Sequence, residues 1–156
     1  MGTLRFEEAV SIDRRVFPDD LRYDRGEYER RLAQPGAQLW GSSSPELAAF
    51  YLLAPDLTRS SQAFLDVLAV HPARQGEGLG RAAVLDAIAR SRSVGFQTLA
   101  VMCPQFNQNG VDLVAFYSSL GFSVAGSDGR FFTLVRALRE NPPDRRLQDH
   151  ADDRME

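Results

Sequence analysis

The order of apolar patterns along the chain predicts an α/β (α+β) fold, a sheet with helices packed against it. Three observations carry this. The run Ala63 to Val70 is apolar except at Asp66, as befits a strand covered on both faces. Val84, Leu85 and Ile88 then repeat at the spacing of an amphipathic helix from about Arg81 to Ser93. Thr98 to Met102 returns to the buried-strand pattern, and strand, helix, strand in succession is the unit of a helix-covered sheet.

The other elements follow in order. Leu4, Val10, Ile12 and Val16 place an N-terminal helix within Thr3 to Phe17, stopped by Pro18, and Glu27 to Leu32 predicts a short second helix ended by Pro35-Gly36. Leu39-Trp40 and Leu47 to Leu53 read as strands joined by the polar Ser42-Ser43-Ser44-Pro45 connection. Gly95 stands where the long helix stops, and Gly121 ends a further helix over Val111 to Leu120. Phe131 to Val135 is the last strand, entered through the Asp128-Gly129 turn. Residues 1–140 are thus read as one domain. Asn141 to Glu156, with five acids, three arginines and two prolines, reads as a flexible polar tail that buries too little to fold alone.

Composition narrows the function. The 156 residues are 44% hydrophobic and 25% charged, the balance of a single globular domain. No apolar stretch approaches the roughly 18 to 20 residues of a membrane span, and Met1 to Arg15 lacks a signal peptide's apolar run. A cytoplasmic protein without membrane attachment is expected. Every base is an arginine, and 18 of them against 21 acids leave a net charge of −3. A sequence-independent grip on nucleic acid needs a basic stripe, so no nucleic-acid partner is expected. The lone Cys103 excludes an internal disulfide and a cysteine-built zinc site.

The most informative stretch is Val70-His71-Pro72-Ala73-Arg74-Gln75-Gly76-Glu77-Gly78-Leu79-Gly80-Arg81, between the buried strand and the amphipathic helix. Without Cβ atoms at Gly76, Gly78 and Gly80, a phosphate can approach the main chain, and the orphan N–H groups of the helix's first turn point at it. A mere connection has no need of three alternating glycines, which cost conformational entropy. Gly78-Leu79-Gly80-Arg81-Ala82-Ala83 also satisfies a relaxed dinucleotide-binding pattern. Against that stand a loop from Val70 to Gly78 too long for the tight first turn, and no ribose-binding acid after Thr98 to Met102. A Walker loop needs a lysine, and the chain has none.

Gln75-Gly76-Glu77-Gly78-Leu79-Gly80, preceded by Val70-His71-Pro72, resembles the Q/R-x-x-G-x-G/A signature of the GNAT N-acetyltransferase superfamily. Phe116-Tyr117-Ser118-Ser119-Leu120-Gly121-Phe122 is similar to that family's Tyr-x-x-Leu-Gly-Phe segment, in the right order downstream. Extending from about Leu39 to Leu138, the resemblance implies the GNAT acyl-CoA N-acyltransferase fold, a mixed sheet whose splayed central strands admit the pantetheine arm of coenzyme A. The first strand is expected to be short or absent. The resemblance further implies acetyl-CoA as cofactor, direct transfer in a ternary complex to a primary amine on a small molecule or peptide, and a homodimer as a family-level expectation. Residue by residue, Leu68, Ala69 and Val70 match the strand that pairs with the pantetheine. Gly76, Glu77, Gly78, Leu79, Gly80 and Arg81 match the pyrophosphate loop, with Arg74 and Gln75 at its mouth.

Acetyl transfer to an amine needs a neutral amine, donors for a carbonyl oxygen gaining charge, and a proton for the departing thiolate. Main-chain amides around Ala69 and Val70 are candidates for the second task. Tyr117 matches the family tyrosine, and a phenol of pKa about 10 can protonate a thiolate of about 8.5; an ordinary core tyrosine is the competing interpretation. Asn107 resembles the asparagine that binds the CoA arm, but stands further ahead of Tyr117 than in those relatives. Asn109 is the alternative, and a helix-capping role rivals both. No general base stands out, because Met102 occupies the strand position where several relatives carry glutamate. Asp66 is the first substitute, with His71, Asp112 or a water chain behind it, against Asp66 as a merely paired acid. The missing carboxylate motivates the alternative function, a catalytically weak CoA-binding sensor or interaction module. Cys103 lacks a partner that would lower its pKa and is expected to be a buried small hydrophobe.

Overall fold

The computed structural model describes residues 2–3, 6–42 and 48–139. Strand β1 (Gly2–Thr3) is followed by helices α1 (Phe6–Val16) and α2 (Arg25–Leu32), then by strands β2 (Gln38–Gly41), β3 (Ala49–Pro55) and β4 (Gln62–Val70). Helix α3 (Leu79–Val94), strand β5 (Thr98–Cys103), helix α4 (Leu113–Ser119) and strands β6 (Ser123–Ser127) and β7 (Phe132–Ala137) complete the order. The strands form one mixed sheet, β1-β2-β3-β4-β5-β7-β6, in which β4 and β5 run parallel and the other neighbours antiparallel. The expected short first strand is there, two residues long and paired with Trp40 and Gly41. Leu47, most of the Ser42 to Pro45 connection and the C-terminal tail lie outside the described residues.

Local chemistry sets the ends of the helices. The Asp24 carboxylate accepts from the Glu27 amide and opens α2, while Asp112 accepts from the Ala115 amide and opens α4 at Leu113, two residues later than the apolar pattern suggests. Gly95, at φ 103°, closes α3 in the left-handed conformation that a side chain disfavours. Strand β6 was not anticipated, because its residues Ser-Val-Ala-Gly-Ser are all exposed and show no apolar alternation.

The sheet buries both of its faces. On one, α3 and α4 cover Tyr51, Leu53, Ala63, Leu65, Leu99, Val101 and Leu134; on the other, α1 and α2 cover Leu39, Phe50, Leu52, Val67 and Ala69. Ala63 and Leu65 thus face α3, whereas Val67 and Ala69, at the same parity along the strand, face α1. The reversal comes from a β-bulge: Leu52 pairs with Val67 and Leu53 with Leu65, leaving Asp66 as the extra residue.

The α1 layer is tied to α2 by a buried polar link. Asp13 is 1% exposed and accepts from the Tyr28 hydroxyl at 2.5 Å and from the Tyr23 amide at 3.2 Å. Burial pushes its carboxyl upward, against the effect of these hydrogen bonds. Tyr28→Phe removes the shortest of these donors and leaves a buried carboxylate under-satisfied, so it is expected to cost about 1–3 kcal/mol. Urea denaturation of the two proteins measures it.

Candidate active site

The site begins where the sheet comes apart. β4 and β5 pair from Gln62 with Thr98 to Leu65 with Val101, and no further. Beyond Leu65, β4 continues to Val70 and β5 to Cys103 without pairing to each other, so a gap opens between the parallel strands. The His71 amide donates to Ala48 O at 2.6 Å on the β3 side. Alternation along a strand therefore turns the amides of Leu68 and Val70 to the opposite edge, into the gap. Ala69's own amide faces β3, a correction to the expectation that it takes part directly.

At the end of β4 the chain makes a short 3-10 turn (Pro72–Arg74) and passes through Gly76 (φ 86°) and Gly78 (φ 80°) into α3. Both glycines occupy the left-handed region, and a Cβ built on either meets nothing within 4 Å, so the main chain there is open to approach. The first backbone bond of α3 runs from the Ala82 amide to Gly78 O. The main-chain amides of Leu79, Gly80 and Arg81 precede that bond and have no partner within the helix. They lie at the positive end of a 16-residue helix, where backbone N–H groups favour an anion. Gly80 lies behind it, where a Cβ would stand 3.6 Å from both Val70 and Phe116, and so seats the helix start against β4 and α4.

The side chains around this loop are already engaged. Arg74 pairs with Glu77 at 2.6 Å, offsetting a carboxylate that would otherwise oppose an anion. Gln75 donates to Val70 O at 3.3 Å and accepts from Asn109 at 2.7 Å. Asn107 caps its own turn, its Oδ1 accepting from the amides of Asn109 and Val111 at 2.9 and 3.0 Å. Arg81 is exposed on the first turn of α3.

Tyr117 stands on α4, buried and packed edge-on against the rings of Phe116 and Phe122. Burial pushes its phenol upward, with the nearby Cys103 as a second cause, and no hydrogen bond contributes. The other proposed acids and bases are committed elsewhere. Asp66 Oδ2 accepts from Arg31 at 2.5 Å and its Oδ1 from the Tyr23 hydroxyl at 3.1 Å, so it is a paired acid and not a free base. His71 Nδ1 accepts from the Ala73 amide at 3.1 Å, with Nε2 3.0 Å from Arg15, and Asp112 is the α4 cap.

Splayed parallel strands, an open glycine loop at a helix start and a buried tyrosine occur together in a chain whose residues 5–122 match the sequence model of the acetyltransferase (GNAT) family. The chain belongs to the GNAT acetyltransferase family. Among curated proteins no sequence matches it. Among solved structures, the ribosomal-protein-S18-alanine N-acetyltransferase of Escherichia coli superposes with a TM-score of 0.74 at 22% identity, covering 92% of this chain and 96% of that one. The PaiA N-acetyltransferase of Thermoplasma acidophilum in complex with coenzyme A gives 0.69 at 16% identity, over 84% and 91%. A Bacillus subtilis acetyltransferase in complex with CoA gives 0.70 at 18% identity, over 88% and 96%. At these identities the likeness is one of fold.

As a GNAT chain the protein is an acyltransferase. Leu68 and Val70 flank the gap, Gln75 to Arg81 form the loop at its end, and Phe116, next to Tyr117 on α4, approaches Gly80 at the start of α3. Two residues that the sequence did not single out also belong here. Tyr23 and Arg31 hold Asp66, with the Arg31 guanidinium 4.2 Å over the Tyr23 ring. They stand 43 and 35 residues from Asp66, and no local pattern links them to it. Among the described residues there is no cluster able to hold a metal ion and no helix long and apolar enough to cross a membrane.

Cys103 is 5% exposed, and burial with a smaller contribution from Asp112 pushes its thiol up to about 11. A thiol of that kind is about one part in a thousand thiolate at pH 8 and is a poor nucleophile. Alkylation of the folded protein by iodoacetamide is therefore expected to be slow at pH 8 and to accelerate only towards pH 11. Mass spectrometry across a pH series reads this, with the urea-unfolded chain as the fast control.

Proposed function

We propose that the chain is an acetyl-CoA-dependent N-acetyltransferase acting on a primary amine of a small molecule or protein. The open glycine loop leading to the free first-turn amides of α3, next to unpaired strand edge at Leu68 and Val70, carries this assignment. The residues fit such a cofactor: the loop amides suit a diphosphate, the open glycines give it room, and the gap offers main-chain donors to an amide-bearing arm. Bound acetyl-CoA supplies the thioester whose acetyl group passes directly to the amine in a ternary complex.

The protein's own groups divide the remaining work. The Leu68 and Val70 amides are preorganised donors aimed into the gap, where a carbonyl oxygen gaining charge is stabilised. Tyr117 holds a proton at its hydroxyl, since burial keeps the phenol neutral, and delivers it to a departing thiolate. Arg74 and Gln75 stiffen the loop mouth, and Asn107 shapes the turn beside it while keeping its Nδ2 available for the cofactor's arm. Asp66 acts by positioning Tyr23, and proton removal from the amine is assigned to water at the exposed edge of the gap.

A second reading, a CoA-binding sensor with weak catalysis, draws on Met102, which is 49% exposed and offers no base, and on the commitment of Asp66 to Arg31. A GNAT-like decarboxylase in complex with isobutyryl-CoA superposes at a TM-score of 0.73 with 15% identity, so the fold does not by itself dictate transfer. An acetyl-CoA consumption screen over amines and peptides, paired with calorimetry of CoA binding, separates the two. Binding without turnover on any amine favours the sensor.

Two substitutions test the assignments. Tyr117→Phe is expected to lower kcat by about 10²-fold while CoA affinity stays within a factor of about two; unchanged turnover would remove Tyr117 from the mechanism. Gly78→Arg places a side chain in the cradle and is expected to weaken CoA binding by tenfold or more, about 1.4 kcal/mol. Normal binding by that variant would put the diphosphate elsewhere.

A further inference from the structure

Gln75 makes two hydrogen bonds that join the two sides of the gap. Its Nε2 donates to Val70 O at 3.3 Å, and its Oε1 accepts from Asn109 Nδ2 at 2.7 Å. Val70 is the last residue of β4, and Asn109 lies in the segment between β5 and α4. One side chain thus connects the end of β4 to the chain that follows β5, beyond the point where the two strands have parted.

The atom that Gln75 takes on Val70 is the telling one. In an antiparallel pair the N–H and C=O of one residue point to the same edge, and the edge alternates along the strand. The His71 amide bonds Ala48 O on β3, so Ala69 also turns both groups to β3 while Val70 turns both into the gap. An amide-bearing arm laid along that edge pairs as a further strand does, with an N–H on Val70 O and a C=O on the Val70 amide. The Gln75 carboxamide has the same C=O and N–H groups, and it already occupies the acceptor. At 3.3 Å its hold is long against the usual value of about 2.9 Å, so a better-placed N–H displaces it.

The brace behind it is firmer. Asn107 Oδ1 accepts from the Asn109 and Val111 amides at 2.9 and 3.0 Å, the Asn107 amide donates to Val111 O at 3.0 Å, and the Leu113 amide to Gln105 O at 2.6 Å. These bonds fix the turn through its main chain and leave the Asn109 side chain for Gln75. Asn109→Ala therefore removes the donor to Gln75 and none of the bonds that shape the turn.

We infer that the Gln75 carboxamide is a resident stand-in for an amide of the cofactor's arm: braced by Asn109, it holds Val70 O in the free protein and yields it by exchanging one amide for another. The identity of the arm rests on the acetyltransferase reading; the bridge itself does not. The pair then selects among ligands of the glycine loop. A nucleotide with only a diphosphate has no N–H for Val70 O and leaves Gln75 in place, whereas an arm with an amide replaces the bond that it breaks. Releasing Gln75 lowers the apparent affinity for the arm, because the open state is only part of the free population.

Proton-nitrogen NMR of the side-chain carboxamides tests the bridge on the full chain with nothing bound. In Asn109→Ala the Gln75 amide protons are expected to exchange with water about 2–5-fold faster than in the parent protein, as the loss of one exposed hydrogen bond allows. The Gln34 carboxamide, which donates to Pro55 O at 2.7 Å, is the control that stays unchanged. Equal exchange at Gln75 in the two proteins overturns the bridge.

Calorimetry with CoA, and competition of ADP against CoA, test the exchange. Asn109→Ala is expected to bind CoA about 2–5-fold more tightly than the parent, with ADP affinity within a factor of about two. A brace that only stiffens the loop has the opposite sign, since its loss loosens the bound state. Equal or weaker CoA binding by Asn109→Ala, or an equal gain for ADP, therefore overturns the stand-in. Absence of CoA binding in both proteins sinks the acetyltransferase reading and the exchange with it, while the carboxamide measurement still decides whether Gln75 is bridged.

Discussion

The extra residue at Asp66 is the constraint on which the rest of the structure depends. A regular strand sends alternate side chains to opposite faces, so one apolar parity can serve only one core. By inserting a residue, β4 gives Ala63 and Leu65 to the α3 side and Val67 and Ala69 to the α1 side. The bulge bends and twists the strand, and it lies directly after the last residue that pairs with β5. The strand then continues to Val70 bound to β3 alone, and its other edge is exposed in the middle of a sheet. Interior strand edges are costly unless water or a ligand reaches them, so the gap is a feature that a binding function explains and folding alone does not.

The glycine loop follows the same logic at lower cost. Its unpaired amides are on residues that are exposed or partly exposed, so water satisfies them when nothing else is bound. What the chain forgoes is the stiffness that side chains at residues 76 and 78 would lend. Part of that is restored by the Arg74–Glu77 pair and by Gln75, which links Val70 to Asn109 across the loop mouth. The α3 start is held more firmly, because Gly80 lets it settle onto Val70 and Phe116. A cradle is thus flexible where an anion would enter and rigid where the helix must keep its direction.

Much of this was legible in the sequence, and what was not has physical causes. The buried strands and α3 announce themselves because apolar periodicity reports burial directly, and the glycine and Tyr117 motifs lie within single short segments. β6 was missed because an exposed edge strand carries no apolar alternation, and α4 was begun too early because Val111 continues the apolar pattern past the point where Asp112 caps the helix. The state of Asp66 was illegible for another reason. Whether it is a base or a paired acid depends on Tyr23 and Arg31, which tertiary folding alone brings to it. Asn107 is similar: its type suited a ligand contact, and only the loop geometry shows its carboxamide oxygen spent on two backbone amides.

The placement of Tyr117 and Asp66 on opposite sides of the sheet gives the proposed chemistry a direction. Tyr117 belongs to the core under α3 and α4, whereas Asp66 turns to Tyr23 and Arg31 on the α1 and α2 side. A proton donor for a leaving group and an entrance for a nucleophile on different faces of the sheet do not compete for the same space. The gap between β4 and β5 opens beyond Leu65 and Val101, where the strand amides of Leu68 and Val70 have no partner on β5. Burial keeps the Tyr117 phenol protonated, and the rings of Phe116 and Phe122 pack edge-on against it. Cys103, close enough to raise the same phenol, is itself pushed up to about 11 and so stays a neutral thiol at neutral pH.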